Sequence, residues 1–297
     1  MTTRSTFPRA ARRTARAFLA AAALGAMSLP LASLPADAGV RILVHSSNML
    51  QPNRAPREGE ILLQGDRLRM HMPGRVRGKS TVIFRADKDV LWNVAPRQKR
   101  YHEIDRETAK KLSKRLVWAR NRIAGGMNGM SPEQQAMVGE MLDRIAPVPG
   151  EGSPLEDHIL KVVETGKKGK VDGRPTRHYK LLRGKTLVGE IWATPWEQVG
   201  ITAEDYQAFH AMAKFSRDVI ATAGRSSGLI PDEPYDAFDR VEGFPVLVRQ
   251  IKQDAVQTEQ RFISLEKRQF DPAIFEIPED YDQDPPPGLA PGSPGLE

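Results

Sequence analysis

Two stretches of the chain resemble the end of a phosphate-binding loop, Gly78-Lys79-Ser80 and Gly184-Lys185-Thr186. In such a loop, backbone N–H groups cradle the phosphates and the lysine reaches the terminal ones. The loop requires a glycine five residues before the second glycine, and those positions hold Pro73 and Tyr179. A strand, not a helix, is expected after each stretch, so both read as turns. The six histidines are His45, His71, His102, His158, His178 and His210, and none lies in an H-x-H or H-E-x-x-H pattern. The densest cluster, Glu156-Asp157-His158, sits in an expected loop with no second ligand pair nearby. No G-x-S-x-G nucleophile elbow occurs. There is no cysteine, which excludes disulfides, thiolate catalysis and thiolate metal sites. The chemistry-bearing residue types therefore point away from an enzyme, and no catalytic residue, metal ligand or cofactor is expected.

Position and charge say more. Arg4, Arg9, Arg12, Arg13 and Arg16 precede an apolar, small-residue run from Phe18 to Leu34, and Ala36-Asp37-Ala38 has the A-x-A form of a cleavage site. Residues 1–38 read as a signal peptide cleaved near Ala38. The spacing of Arg12-Arg13 and Phe18-Leu19 does not choose between the general and twin-arginine routes. The formal charge of +7 drops to +3 without this segment, 39 basic minus 36 acidic residues. A mildly basic, exported chain with no lipidatable cysteine is expected free in the periplasm or secreted. It is not expected to bind nucleic acid by charge.

The body of the chain is expected to be strand-rich. Val40–Ser46 alternates, Glu60–Gln64 and Arg67–Met72 form a hairpin about Gly65-Asp66, and Ser80–Ile104 supplies three more strands. Strands resume at Leu160–Glu164, Lys170-Val171, Arg177–Leu182 and Thr186–Ala193, with turn signals at Asp172-Gly173 and Gly184-Lys185. Phe244–Lys252 and Thr258–Leu265 close the set. Consecutive short strands with tight turns favour an antiparallel meander. Asp282–Glu297 is rich in Pro and Gly and reads as a disordered tail.

Three helices interrupt the strands. Asp105 is a candidate N-cap for the first, whose apolar face repeats at Ala109, Leu112, Leu116, Ala119 and Ile123. Its remaining surface is basic, including Arg106, Lys110, Lys114 and Arg122. That surface reads either as a solvated helix face or as a docking surface for anionic lipid head groups or an acidic partner. Ser131, Pro132 and Gln134 form a capping box for the second helix, which carries Met137, Val138, Met141, Leu142 and Ile145. Three glycines within Gly125–Gly129 would let this helix swing as a lid. Thr202 and Asp205 cap the third helix, with Tyr206, Phe209, Met212, Phe215, Val219 and Ile220 on one face and Gly224 at its end. Ser226–Val241 reads as a polar loop.

The stretch Phe84-Arg85-Ala86-Asp87-Lys88-Asp89-Val90-Leu91-Trp92, followed by Lys99-Arg100-Tyr101-His102-Glu103-Ile104, resembles a family of uncharacterised exported bacterial proteins. So does the ending Phe270-Asp271-Pro272-Ala273-Ile274-Phe275-Glu276-Ile277-Pro278-Glu279-Asp280-Tyr281. The family, a domain of unknown function, is similar to the LolA/LolB lipoprotein-carrier fold. The resemblance covers Gly39–Tyr281 and is specific in these two segments. It implies a single α+β domain over residues 39–281: a large curved antiparallel sheet, an incomplete barrel, with about three helices on its concave face. The helical segment 105–145 lies within that domain, and the resemblance brings no catalytic residues. In the ending, Phe275 and Ile277 read as one face of a strand that Pro278 stops, with Tyr281 packing back on the sheet.

Together, the export signal, the apolar strand faces and the methionine-bearing helix lead to a specific expectation. The protein is a periplasmic, non-enzymatic carrier for an apolar or amphipathic ligand, a lipid or a lipoprotein acyl chain. The expected lining is Phe84, Trp92, Val94, Met137, Met141 and Trp192. The alternative is an envelope protein–protein or stress-sensing module on the same scaffold, using the basic face from Arg106 to Arg122.

Overall fold

The computed structural model describes residues 38–73, 79–145, 159–224, 229, 234–286 and 289, which fall within one compact unit, Leu34–Glu297. Residues 1–37 of the expected signal segment, most of the loop after Ile145, the Glu156-Asp157-His158 cluster and Gly78 lie outside the described residues.

The first six strands are β1 (Gly39–Asn48), β2 (Arg57–Gln64), β3 (Arg67–Pro73), β4 (Lys79–Arg85), β5 (Val90–Ala95) and β6 (Arg100–Ile104). The helices α1 (Arg106–Gly125) and α2 (Pro132–Ile145) follow. Then come β7 (Lys161–Val171), β8 (Arg174–Arg183), β9 (Thr186–Thr194), α3 (Gln207–Ala223), β10 (Phe244–Lys252), β11 (Ala255–Arg268) and β12 (Asp282–Asp284). All twelve strands make one sheet in the order β12-β6-β5-β4-β3-β2-β1-β11-β10-β9-β8-β7. One meander runs outward from β1 to β6, the other runs inward from β7 to β11, and the antiparallel β1–β11 pair joins them. The α1–α2 segment connects strands at opposite ends of this order. The fold is the expected α+β class, a curved sheet not closed into a barrel.

Register shifts occur in the pairings of β11 with β1 and β10, of β10 with β9, and of β8 with β7 and β9. Such bulges sharpen local twist and bending, so they bend the junction and the second meander. The tight turns match their residues. Asp172 and Gly173 both take positive φ, 47° and 79°, as a two-residue hairpin requires. The outer edge strand β7 carries Lys161, Lys167, Lys168 and Lys170, a charge pattern that discourages edge-to-edge pairing.

Local signals place the helices. Asp105 Oδ1 accepts the Thr108 N–H at 2.6 Å. Ser131 and Gln134 form the reciprocal box, with N–H donations of 3.0 and 3.3 Å. Thr202 and Asp205 do the same at 2.8 and 3.2 Å, opening a 3-10 turn, Glu204–Tyr206, that leads into α3.

Three expectations are corrected in the loops and towards the end of the domain. Pro234–Arg240 is not part of a polar loop: it is a 3-10 segment with Tyr235 and Phe238 buried against α3. The tail does not begin at Asp282, because Asp282–Asp284 pair parallel with Arg100–His102 and extend the sheet. The ending before it is also not a strand. Pro272–Phe275 is a 3-10 turn with Asp271 as its cap, while Tyr281 does pack back on the sheet.

Candidate ligand-binding site

The largest apolar seam lies between the sheet and a layer made of α3 and Pro234–Arg240. Alternation along the strands sends Ile42, Ile61, Leu68, Phe84 and Leu91 to this face. The layer answers with Phe209, Phe215 and Phe238, and Phe84 meets Phe215 at a centroid distance of 5.4 Å. Phe209 lies between Tyr206 at 4.8 Å and Phe238 at 5.3 Å. Phe244 and Phe262, from the second meander, meet at 5.1 Å. A cavity of about 30 Å³ remains among Ile42, Ile61, Tyr206, Phe209, Phe244 and Phe262. One water occupies roughly that share of liquid volume, so the protein's own side chains fill the seam. Burial pushes the Tyr206 phenol pKa far up, so it stays neutral.

The six expected lining residues do not form one wall. Phe84 is buried in the seam. Trp92 and Val94 lie on the opposite face, in a second cluster with Ile83 and Val90. The β4–β5 register shows why: Phe84 pairs with Leu91, whereas Ile83 pairs with Trp92, and successive residues face opposite sides. Trp192 is half-buried at the margin of the main cluster, 4.5 Å from the His178 ring and 4.8 Å from the Arg249 guanidinium. Met137 is 72% exposed, so α2 does not bring it over the sheet as a lid. The Met141 side chain lies outside the described residues. Tyr206, Phe209, Tyr235 and Phe238 line the seam but are absent from the expected lining set. Tyr235 and Phe238, three apart in a stretch with few apolar residues, were the available signal.

The second cluster is covered by the chain's own ending. Tyr101, Ile277 and Tyr281 pack on it. Arg85, whose side chain is 5% exposed, binds both Asp87 oxygens, at 2.8 and 2.5 Å, and also pairs with Glu276. The bidentate guanidinium holds the Asp87 carboxyl below its usual range, against the opposing effect of burial. Arg69 donates to the Ile274 carbonyl at 2.7 Å.

The four basic residues expected to form a partner surface also divide. Arg106 is engaged internally, bound to Asp89 at 2.6 Å and Asp218 at 2.9 Å, and it ties α1 to α3. Lys110, Lys114 and Arg122 are exposed. The apolar stripe of α1 is covered only in its first half: Ala109 and Leu112 are buried, but Ile123 is 44% exposed. Trp118, Met130 and Met137 are exposed on the same α1–α2 arm.

The titratable groups offer little chemistry. Burial lowers the pKa of His178 and His210, which sit on β8 and α3. Among the described residues no group of three or more His, Asp or Glu side chains converges as a metal site. No described helix is long and apolar enough to cross a membrane.

No family model and no curated protein matches the chain. Among solved structures, it is similar to an uncharacterised conserved protein from Thermus thermophilus. That match has a TM-score of 0.37 and 6% identity, over 84% of this chain and 91% of that one. It is similar to a chain of the Pseudomonas aeruginosa MucA/MucB complex, with a TM-score of 0.32 and 8% identity. The match spans 82% of this chain but 57% of that one, under two thirds of its length. It is also similar to the LolA superfamily protein NE2245 from Nitrosomonas europaea, at TM-score 0.25 and 9% identity over 82% of this chain and 91% of that one. At these scores the likenesses carry no argument about function.

Proposed function

We propose that the chain is an exported, non-enzymatic binding protein, freed into the periplasm or the medium by cleavage near Ala38. It takes an apolar or amphipathic ligand, a lipid or a lipoprotein acyl chain, between the sheet and the α3 layer. The observation that carries this reading is the seam itself, an almost wholly aromatic and aliphatic surface with a residual cavity at its centre. This conformation is the closed one. A ligand enters when α3 and Pro234–Arg240 part from the sheet, and its own apolar surface then keeps the two separated faces out of water. The layer is suited to move as a unit, because Arg217 pairs with Asp239 and joins its two parts. The ion pair of Lys267 on β11 with Asp205, in the turn that leads into α3, at 3.0 Å, lies at the margin, where such pairs contribute little.

Native mass spectrometry of protein purified from a bacterial envelope tests the proposal, with co-purified lipid as the expected result. Phe209→Ala enlarges the cavity and should raise uptake of a fluorescent fatty-acid probe. If neither wild type nor the variant carried lipid or took up the probe, the reading would fail.

A second reading is favoured by the arm. Ile123, Met130 and Met137 form exposed apolar surface suited to protein–protein contact, as in a stress-sensing module. Pull-down with Ile123→Glu and Met137→Glu should lose the partners that wild type retains; an unchanged set counts against this reading.

A further inference from the structure

The first helix has a second face, distinct from the stripe that packs on the core. Lys111, Lys114, Arg115, Trp118 and Arg122 stand at relative positions 0, 3, 4, 7 and 11, which places them along one side of α1. Ala109, Leu112 and Leu116 occupy the side that meets the core. Trp118 is 43% exposed, an unusual place for an indole, and the Arg122 guanidinium lies 5.2 Å from its ring. Lys111 and Lys114 are exposed on either side. From Arg106 to Arg122 the helix carries seven basic residues and a single acidic one, Glu107.

We infer that this face docks on an anionic phospholipid bilayer, with Trp118 at head-group depth and Lys111 and Lys114 over lipid phosphates. Charge complementarity selects the sign of the partner. The residue types select a bilayer over an acidic protein. Protein interfaces gather several aromatic and aliphatic residues into a core and are depleted in lysine. Here one Trp stands alone among lysines and arginines, the combination that suits a membrane–water interface. The amphipathic ring sits at the head groups and long basic stems reach the phosphates. The convex surface of a helix has no pocket for a folded partner, but a lipid surface can conform to it. This docking is independent of ligand uptake at the α3 seam and stands or falls without it.

The test uses the full chain and a readout that belongs to Trp118. Vesicles of phosphatidylcholine with phosphatidylglycerol brominated on its acyl chains quench a tryptophan that reaches the interface. The signal is the difference between wild type and Trp118→Phe, which removes the contribution of Trp92, Trp192 and Trp196 and of any association through another part of the chain. We expect quenching with the anionic vesicles and none with brominated phosphatidylcholine alone. Lys111→Glu with Lys114→Glu should weaken the Trp118 signal by at least about twenty-fold in lipid concentration, since each juxtamembrane lysine contributes about five-fold. These residues are exposed, so a circular dichroism spectrum like that of wild type is expected for every variant. Three results would overturn the inference: equal quenching by neutral vesicles, no quenching component that Trp118→Phe removes, or a double reversal that changes nothing. Retention on polyglutamate beads without lipid quenching would also overturn it, and would assign the face to acidic protein instead.

Discussion

The two faces of the first meander are covered in different ways. Phe84 and Trp92 sit on paired strands one register step apart, yet they belong to different cores. Phe84 faces a helical layer whose cluster runs on through β1, β11 and β10 into the second meander. Trp92 belongs to a four-residue cluster covered by an irregular strap, the stretch from Phe270 to Asp284. The first cover is broad and apolar. The second buries two rings at its start, Phe270 and Phe275, and is otherwise narrow and pinned by polar contacts: Arg85 to Glu276, Arg69 to the Ile274 carbonyl, Lys99 to Asp280 at 2.7 Å, and Arg100 to Asp284. A cover with few buried apolar contacts opens at lower free energy than one continuous with the core. The strap beyond Phe275 should therefore lift without global unfolding, whereas the sheet should lose its helical layer only at higher cost.

The largest expected effect tests the helical side. Phe84→Ala should destabilise the whole domain by about 3–5 kcal/mol, the usual cost of emptying a buried phenylalanine site, read as a fall in denaturant midpoint with unchanged slope. The strap side should respond locally. Ile277→Ala with Tyr281→Ala should cost about 1–3 kcal/mol, read as a smaller fall in denaturant midpoint than that of Phe84→Ala, with amide exchange in β5 and β6 speeded more than in the rest of the sheet. If the strap variant unfolded the domain as fully as Phe84→Ala, the two covers would be one cooperative unit and the contrast would be lost. A smaller effect is expected where strap and sheet meet. A Cβ added at Gly39 would lie 2.6 Å from both the Phe270 ring and the Leu63 carbonyl oxygen. Gly39→Ala should therefore displace Phe270 and cost about 1–3 kcal/mol, as overpacking does. Thermal melting of Gly39→Ala with and without Phe270→Ala checks it, since removing the ring should relieve the part of the strain against Phe270 and leave the part against the Leu63 carbonyl.

The sequence showed clearly what is decided by near neighbours. Asp105 and the Ser131–Gln134 pair cap as their spacing indicated, because a cap acts within one turn, and the Thr202–Asp205 pair forms its box but caps the 3-10 turn before α3 rather than α3 itself. The hairpins followed from their turn residues, and the α+β class from the run of strands. What it did not show is set across the fold. Ile83 and Phe84 are both apolar, so strand alternation alone could not say which face each cover would take. Trp92 and Val94 therefore lie on the face opposite Phe84 and not on one wall with it. The methionine-bearing face of α2 has the period of a packed helix, but Met137 is open to solvent. Arg106 looks like one more surface charge in a basic run; its two carboxylate partners lie 17 and 112 residues away in the chain. The three-residue strand β12 is too short to carry a pattern, and its parallel partner is 182 residues distant.

The smallest effect separates the two covers by pH. Burial lowers the pKa of His210 in α3, with Asp239 opposing, and its ring packs against Trp196 and Tyr206. Burial likewise lowers that of His178 on β8, partly offset by Glu190, whose Oε1 is 3.4 Å from Nε2. Below a pH of about 6.5 the unfolded chain protonates these histidines before the folded chain does. In that window the unfolded state binds more protons, so stability falls as pH falls. Above it their contribution is complete. The strap's carboxylates behave differently. Hydrogen bonds from Lys99 and Arg100 hold the Asp280 and Asp284 pKa values below the usual range, so their pairing persists until the pH drops through and below about 4. Mild acid should therefore loosen α3, through His210, and β8, through His178 on the opposite face of the sheet, before the strap. Amide protection, taken relative to the intrinsic exchange rate at each pH, should fall in α3 and β8 at pH 5.5 against pH 7.5 and stay level in β12. His210→Gln with His178→Gln should flatten the change in global midpoint between those values. A pH slope that survived the double variant would show that other groups set the response and that acid does not distinguish the two covers.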